Sequence, residues 1–129
     1  MSRINTQNQY YIRLGELMND IIPEEWTELA IYVEFPKTRP VFKAFFRNGK
    51  DGRFLEINEI PEKYSVSKET FDEQYRKLSG LFSDLRRGYE KEYKGRECKT
   101  ISLFVVDGEI ISEYTSSLDE KRKKKKRLT

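Results

Sequence analysis

Histidine is absent from the 129 residues, and Cys98 is the single cysteine. The first absence removes the commonest general base, the Ser-His and Cys-His nucleophile pairs, and zinc sites built on imidazole. The second excludes an internal disulfide and any Cys₄ or CxxC cluster, and fits a reducing compartment. Hydrophobic runs are short. No stretch of about eighteen apolar residues is present to cross a bilayer, and no charged start leads into an apolar signal segment, so a cytoplasmic location is expected. Phosphate-binding glycine loops are missing as well: NGKDGR at 48–53 has neither the GxxxxGK[ST] nor the GxGxxG spacing, and a hairpin turn accounts for it. Arg96 and Lys99 flank Cys98 and would lower a thiol pKa, but no base or oxyanion site accompanies them. Acid-rich surfaces offer carboxylate pairs by composition alone, so Glu24, Glu25, Glu56, Glu59 and Glu62 read better as solvated or partner-facing than as a hydrolase pair. No catalytic residue, metal ligand or cofactor is expected.

What the chain does have is charge and aromatic side chains. Charged residues make up 36% and aromatics 13%, including 8 Phe and 8 Tyr, enough large apolar groups to fold a very polar chain of one-domain length. The charge is uneven. Residues 121–127, KRKKKKR, hold 7 of the 25 Lys and Arg, whereas all 22 Asp and Glu lie in residues 1–120, so the body is −4 and the tail +7. The tail has three readings. It can hold nucleic acid by counterion release, although no stacking aromatics are interleaved with it; it can touch anionic lipid weakly; or it is a dispensable extension.

The strongest pattern lies at 68–94. Phe71, Tyr75, Leu78, Phe82, Leu85 and Tyr89 recur at steps of four and three, with Leu81 on the flank, which predicts one buried helical face. Ser67 suits the N-cap, Val66 and Phe71 a hydrophobic staple, and Gly95 the left-handed residue that ends the helix. Asp72–Arg76, Glu73–Lys77 and Glu90–Lys94 are expected i,i+4 pairs. Gly88, beside Leu81, is expected to let a strand approach closely.

Ahead of that helix, Tyr10, Leu14, Leu17, Met18 and Ile21 predict a first amphipathic helix over 4–22, stopped by Pro23, which could itself open a brief helical turn. Residues 29–35, 41–47 and 53–58 read as three strands of a meander, with NGKDG as a hairpin loop. A second hairpin, 100–106 and 109–114, turns at Asp107-Gly108. The expected fold is α+β: an N-terminal helix, an antiparallel three-strand meander, a long central helix and a C-terminal β-hairpin, packed as helices on one sheet face. One domain over 1–118 and a disordered basic tail over 119–129 are expected.

IPEEW at 22–26 and IPEKYSVSKETFDEQYRKLSGLFSDLRRGYEK at 60–91, joined by a strand-rich segment, resemble the YezG/EsaG-type immunity proteins of Gram-positive bacteria over roughly residues 8–94. The resemblance implies a cytoplasmic antitoxin that neutralises a cognate toxin, commonly a nuclease exported by a type VII secretion system, by forming a complex before export. After the helix the chain departs from the family pattern, ending in SSLDEKRKKKKRLT. An acidic body suits docking on a cationic nuclease, and interface anchors are commonly aromatic. Trp26, Tyr32 and Tyr64 are therefore the candidate anchors, with Glu24, Glu25, Glu59 and Glu62 around them; a core role competes for each aromatic.

Overall fold

The structure, a computed structural model, describes residues 2–37 and 39–116, with side chains from residue 9 onward. The tail at 119–129 and its expected disorder lie outside the described residues. In chain order the elements are α1 (Ser2–Ile21), β1 (Glu28–Glu34), β2 (Val41–Arg47), β3 (Leu55–Glu56), a 3₁₀ turn (Ile57–Glu59), α2 (Ile60–Lys63), α3 (Lys68–Glu92), β4 (Cys98–Val106) and β5 (Glu109–Ser116).

α3 forms as its pattern predicts. Ser67 is extended, and its hydroxyl accepts from the Thr70 amide at 3.2 Å. Val66 is half-buried against the core cluster to which the buried Phe71 belongs, the two positions of a staple. Leu78, Leu81, Phe82 and Leu85 are almost wholly buried, each contributing roughly 1.5–3 kcal/mol of transfer free energy. After the helix Gly95 takes φ +85°, a conformation costly for any residue with a Cβ.

The strands make one antiparallel sheet in the order β3-β2-β1-β4-β5. The meander thus lies to one side of β1 and the hairpin to the other, and α3 is the link between them. Its N-terminal half rests on β2, where Phe42 stacks on Tyr75 (4.4 Å between centroids) and meets Phe82 edge-on (4.8 Å). Its C-terminal half reaches β5, where Tyr89 stacks on Tyr114 at 5.3 Å. α1 packs beside α3 on the same sheet face, and its Tyr11 hydroxyl bonds Ser112 and Tyr114 at 3.0 and 3.1 Å. Both helices cover the face formed by Leu29, Ile31 and Val33 with their partners Phe42, Ala44, Phe46, Ile101, Leu103 and Val105, all buried. The segregated α+β arrangement is the expected one.

Four details differ from expectation. The third strand is two residues long, because Glu56 and Glu59 form a reciprocal capping box and Pro61 sits in the first turn of α2, so the chain coils where alternation suggested a strand. Residues 22–27 form bends and no helical turn follows Pro23. No strand approaches Gly88; a Cβ there would meet nothing within 4 Å. None of the three expected i,i+4 pairs is among the ion pairs of the described residues: Asp72–Arg76 and Glu73–Lys77 are not formed, and Glu90 bonds back to Arg86 and to the Cys98 amide rather than forward to Lys94. The tight turn at Asp107-Gly108 is as predicted, with φ of +52° and +78°.

Candidate partner-binding surface

Because side chains alternate along a strand, the positions between the buried ones point away from the helices. On β1 these are Glu28, Ala30, Tyr32 and Glu34; on β2, Val41, Lys43, Phe45 and Arg47. On β4 they include Ser102, Phe104 and Val106, and on β5 Glu109, Ile111, Glu113 and Thr115. The strand register places Glu56, Phe45, Ala30, Phe104 and Ile111 in one row across all five strands. Tyr32 lies in the next row, 47% exposed, its ring edge-on to Phe104 at 5.6 Å. Ile111 and Val41 are 57% and 60% exposed. At one margin Arg47 donates to Glu28 at 2.9 Å while its guanidinium lies 4.4 Å above the Phe54 ring.

The outer face therefore has an apolar centre and charged margins. Glu28, Glu34, Glu56, Glu109 and Glu113 stand against Lys43 and Arg47, five acids to two bases, a net −3. α3 carries six acids and six bases, a net of zero.

The residues singled out from the sequence fall in two places. Tyr32 is on this outer face. Glu24, Glu25 and Trp26 are in the link between α1 and β1, where Glu24 and Glu25 are exposed and Trp26 is half-buried. The structure brings the two family motifs together there: the Tyr64 phenol comes beside Glu24, and partial burial followed by that carboxylate raises its pKa. Trp26 donates from Nε1 to Asn19 at 2.9 Å and walls a groove of about 480 Å³ with Leu14, Leu29, Val105 and Ile110. Glu59 is engaged in the cap of the 3₁₀ turn, accepting from the Glu56 amide at 3.0 Å, and Glu62 is exposed in α2. Phe45, Phe104, Ile111 and Val41 escaped the sequence reading. For Val41, Phe45 and Phe104 the signal is the second alternation of VFKAFFR and ISLFVV, where they stand among Lys43, Arg47 and Ser102.

Two further groups are structural. Cys98 is fully buried, and burial, then the Glu90 carboxylate, pushes its thiol up to about 12 despite the opposing Arg86. The flanking cations do not lower it, so it is no nucleophile at neutral pH. Arg86 ties α3 to the opposite end of the sheet: it donates to Glu90, to Glu97 at 3.2 Å and to the Lys37 carbonyl at 3.0 Å, and lies 4.8 Å above the Phe35 ring. Among the described residues no helix is long and apolar enough to cross a membrane, and no cluster of His, Cys, Asp and Glu is placed to hold a metal.

Comparison with known proteins adds the family. A family model described as "Immunity protein YezG-like" matches residues 7–127. The match extends past the expected stretch, through β4, β5 and the basic run. Immunity protein YezG of Bacillus subtilis (strain 168) is 37% identical over 76 residues, which cover 59% of this chain and 50% of that protein. Immunity protein YezG of Bacillus spizizenii (strain ATCC 23059 / NRRL B-14472 / W23) is 31% identical over 81 residues, 63% of this chain and 50% of that protein. The chain spans about half the length of the curated relatives it matches.

Proposed function

The chain belongs to the YezG-like immunity protein family, and from that premise we propose that it is an antitoxin: it binds a cognate toxin and neutralises it by sequestration, with no chemistry of its own. The family match over residues 7–127 carries this reading. The interior supports it, since the sole thiol is a buried core group held protonated. The toxin we propose is a nuclease domain exported by a type VII secretion system, held inactive in the cytoplasm before export. An acidic body of −4 favours encounter with the cationic surface a nuclease needs for its substrate.

The test is co-expression with the toxin encoded by the adjacent gene. Protection of the cell's DNA and a co-purifying complex are expected; continued degradation with no complex overturns the reading. A second reading rests on the seven cations of Lys121 to Arg127, which would let the chain hold nucleic acid in an accessory role. It requires salt-sensitive binding that disappears on truncation after Leu118, and binding unchanged by that cut would exclude it.

A further inference from the structure

An antiparallel sheet with one covered face is expected to be polar on the other. This sheet is not: Phe45, Ala30 and Phe104 occupy the three inner strands of one outward row, Ile111 extends it to the edge strand, and Tyr32 leans on Phe104 from the next. Contiguous apolar surface of this kind marks an interaction site, whereas scattered exposed residues do not. The helices do not use it; they pack on the opposite side.

We infer that this outer face is where the toxin docks, and that the toxin meets it with a basic surface carrying an apolar or aromatic projection. The inference rests on the immunity reading and adds to it the surface and the chemistry of its counterpart. The apolar centre asks for an apolar projection, because Tyr32 and Phe104 gain only from contacts that exclude water. The margin asks for cations, because Glu34, Glu56, Glu109 and Glu113 outnumber the single base, Lys43, that is not already paired in the way Arg47 is with Glu28. A second copy of this chain would bring two faces of net −3 together, and like charge opposes that pairing. The four long strands, about 4.8 Å apart and at least seven residues each, give roughly 400 Å² in plan, a flat patch suited to a protein rather than a small molecule. The motif end with Glu24, Trp26 and Tyr64 is better explained internally, since the Trp26 indole N–H is bonded to Asn19 and the half-buried Tyr64 sits beside Glu24.

The experiment is a binding titration of the full chain against a catalytically inactive form of the C-terminal domain of the toxin encoded beside it. Tyr32→Ala and Ile111→Glu should each weaken binding by about tenfold or more, with unchanged circular dichroism. The double variant Glu34→Lys/Glu113→Lys should slow association, most at low salt. Ile12→Ser, exposed on α1, should bind as the unmodified chain does. If the unmodified chain binds and the outer-face variants bind equally well, the surface assignment is overturned and the immunity reading stands. Weakening by Trp26→Ala or Glu24→Lys alone overturns it in the same way, as does an unmodified chain that is a dimer dispersed by Ile111→Glu. If the unmodified chain fails to bind, the immunity reading falls and takes the inference with it.

Discussion

The two faces of the sheet are built from adjacent residues of the same strands, yet they answer to different demands. Ile31 is fully buried under the helices while Tyr32, one residue on, is 47% exposed; Leu103 is likewise fully buried and Phe104 half-buried. The covered face is apolar across β2, β1 and β4 and closed by α1 and α3. The outer face mixes aromatics with a ring of acids and has no intramolecular cover among the described residues. Alternation thus separates two properties that share a backbone: substitutions on one face should be read in stability, and on the other in recognition.

The largest test of that separation is a matched pair. Phe82→Ala removes a side chain buried against Phe42 and should cost about 3–5 kcal/mol in urea unfolding. Ile111→Ser on the outer face should change stability by no more than about 0.5 kcal/mol. Equal losses would mean that the outer face also holds the fold together. Arg86→Met is next. It deprives Glu90, Glu97 and the Lys37 carbonyl of their donor while keeping most of the packing, and should cost about 2 kcal/mol by the same measurement. At about 1 kcal/mol come two changes of opposite sign in α3: Ser67→Ala loses the N-cap bond, whereas Gly88→Ala gains helix propensity because its Cβ enters open space.

The finest distinction is chemical. Cys98 has a folded-state thiol pKa of about 12 against an ordinary 9.0, raised by burial and Glu90 and opposed by Arg86. The shift favours the fold below pH 9, and that stability is lost as pH climbs from 9 toward 12. The half-buried Tyr114, raised by desolvation and its bond to Tyr11, adds to the loss above pH 10. The thermal midpoint should therefore fall on the alkaline side, with Cys98→Ala softening the decline just above pH 9. At pH 8 the native thiol should resist alkylation, while a cysteine placed at the outer face in Cys98→Ala/Ile111→Cys should react freely; rapid labelling of Cys98 would contradict the covered face.

Much of the covered layer was legible in the sequence because it is local. The α3 stripe, the Ser67 cap and the Asp107-Gly108 turn each depend on residues within a few positions, and their physics does not wait for the fold. The outer face was not. VFKAFFR and ISLFVV carry one wholly apolar alternation and a second that mixes Phe45 and Phe104 with Lys43, Arg47 and Ser102, and that such a mixed face forms one row across the sheet depends on the strand register, a long-range outcome. Tyr32 stood out in the alternation it shares with Ala30 and Glu34, whereas Phe45 and Phe104, each beside another apolar residue, were given no face. The third strand failed for a local reason: the Glu56–Glu59 capping box and Pro61 outweighed the alternation of 53–58. The meeting of Glu24 with Tyr64 required two segments forty residues apart to converge.

Hydroxyl-radical footprinting of the chain alone and in complex with the inactive toxin domain tests the division between the faces most directly. Tyr32, Phe45 and Phe104 should become protected in the complex while Ile12 on α1 and Tyr93 beyond α3 stay as reactive as in the free chain. Protection at Ile12 or Tyr93, with Tyr32, Phe45 and Phe104 unchanged, would contradict it.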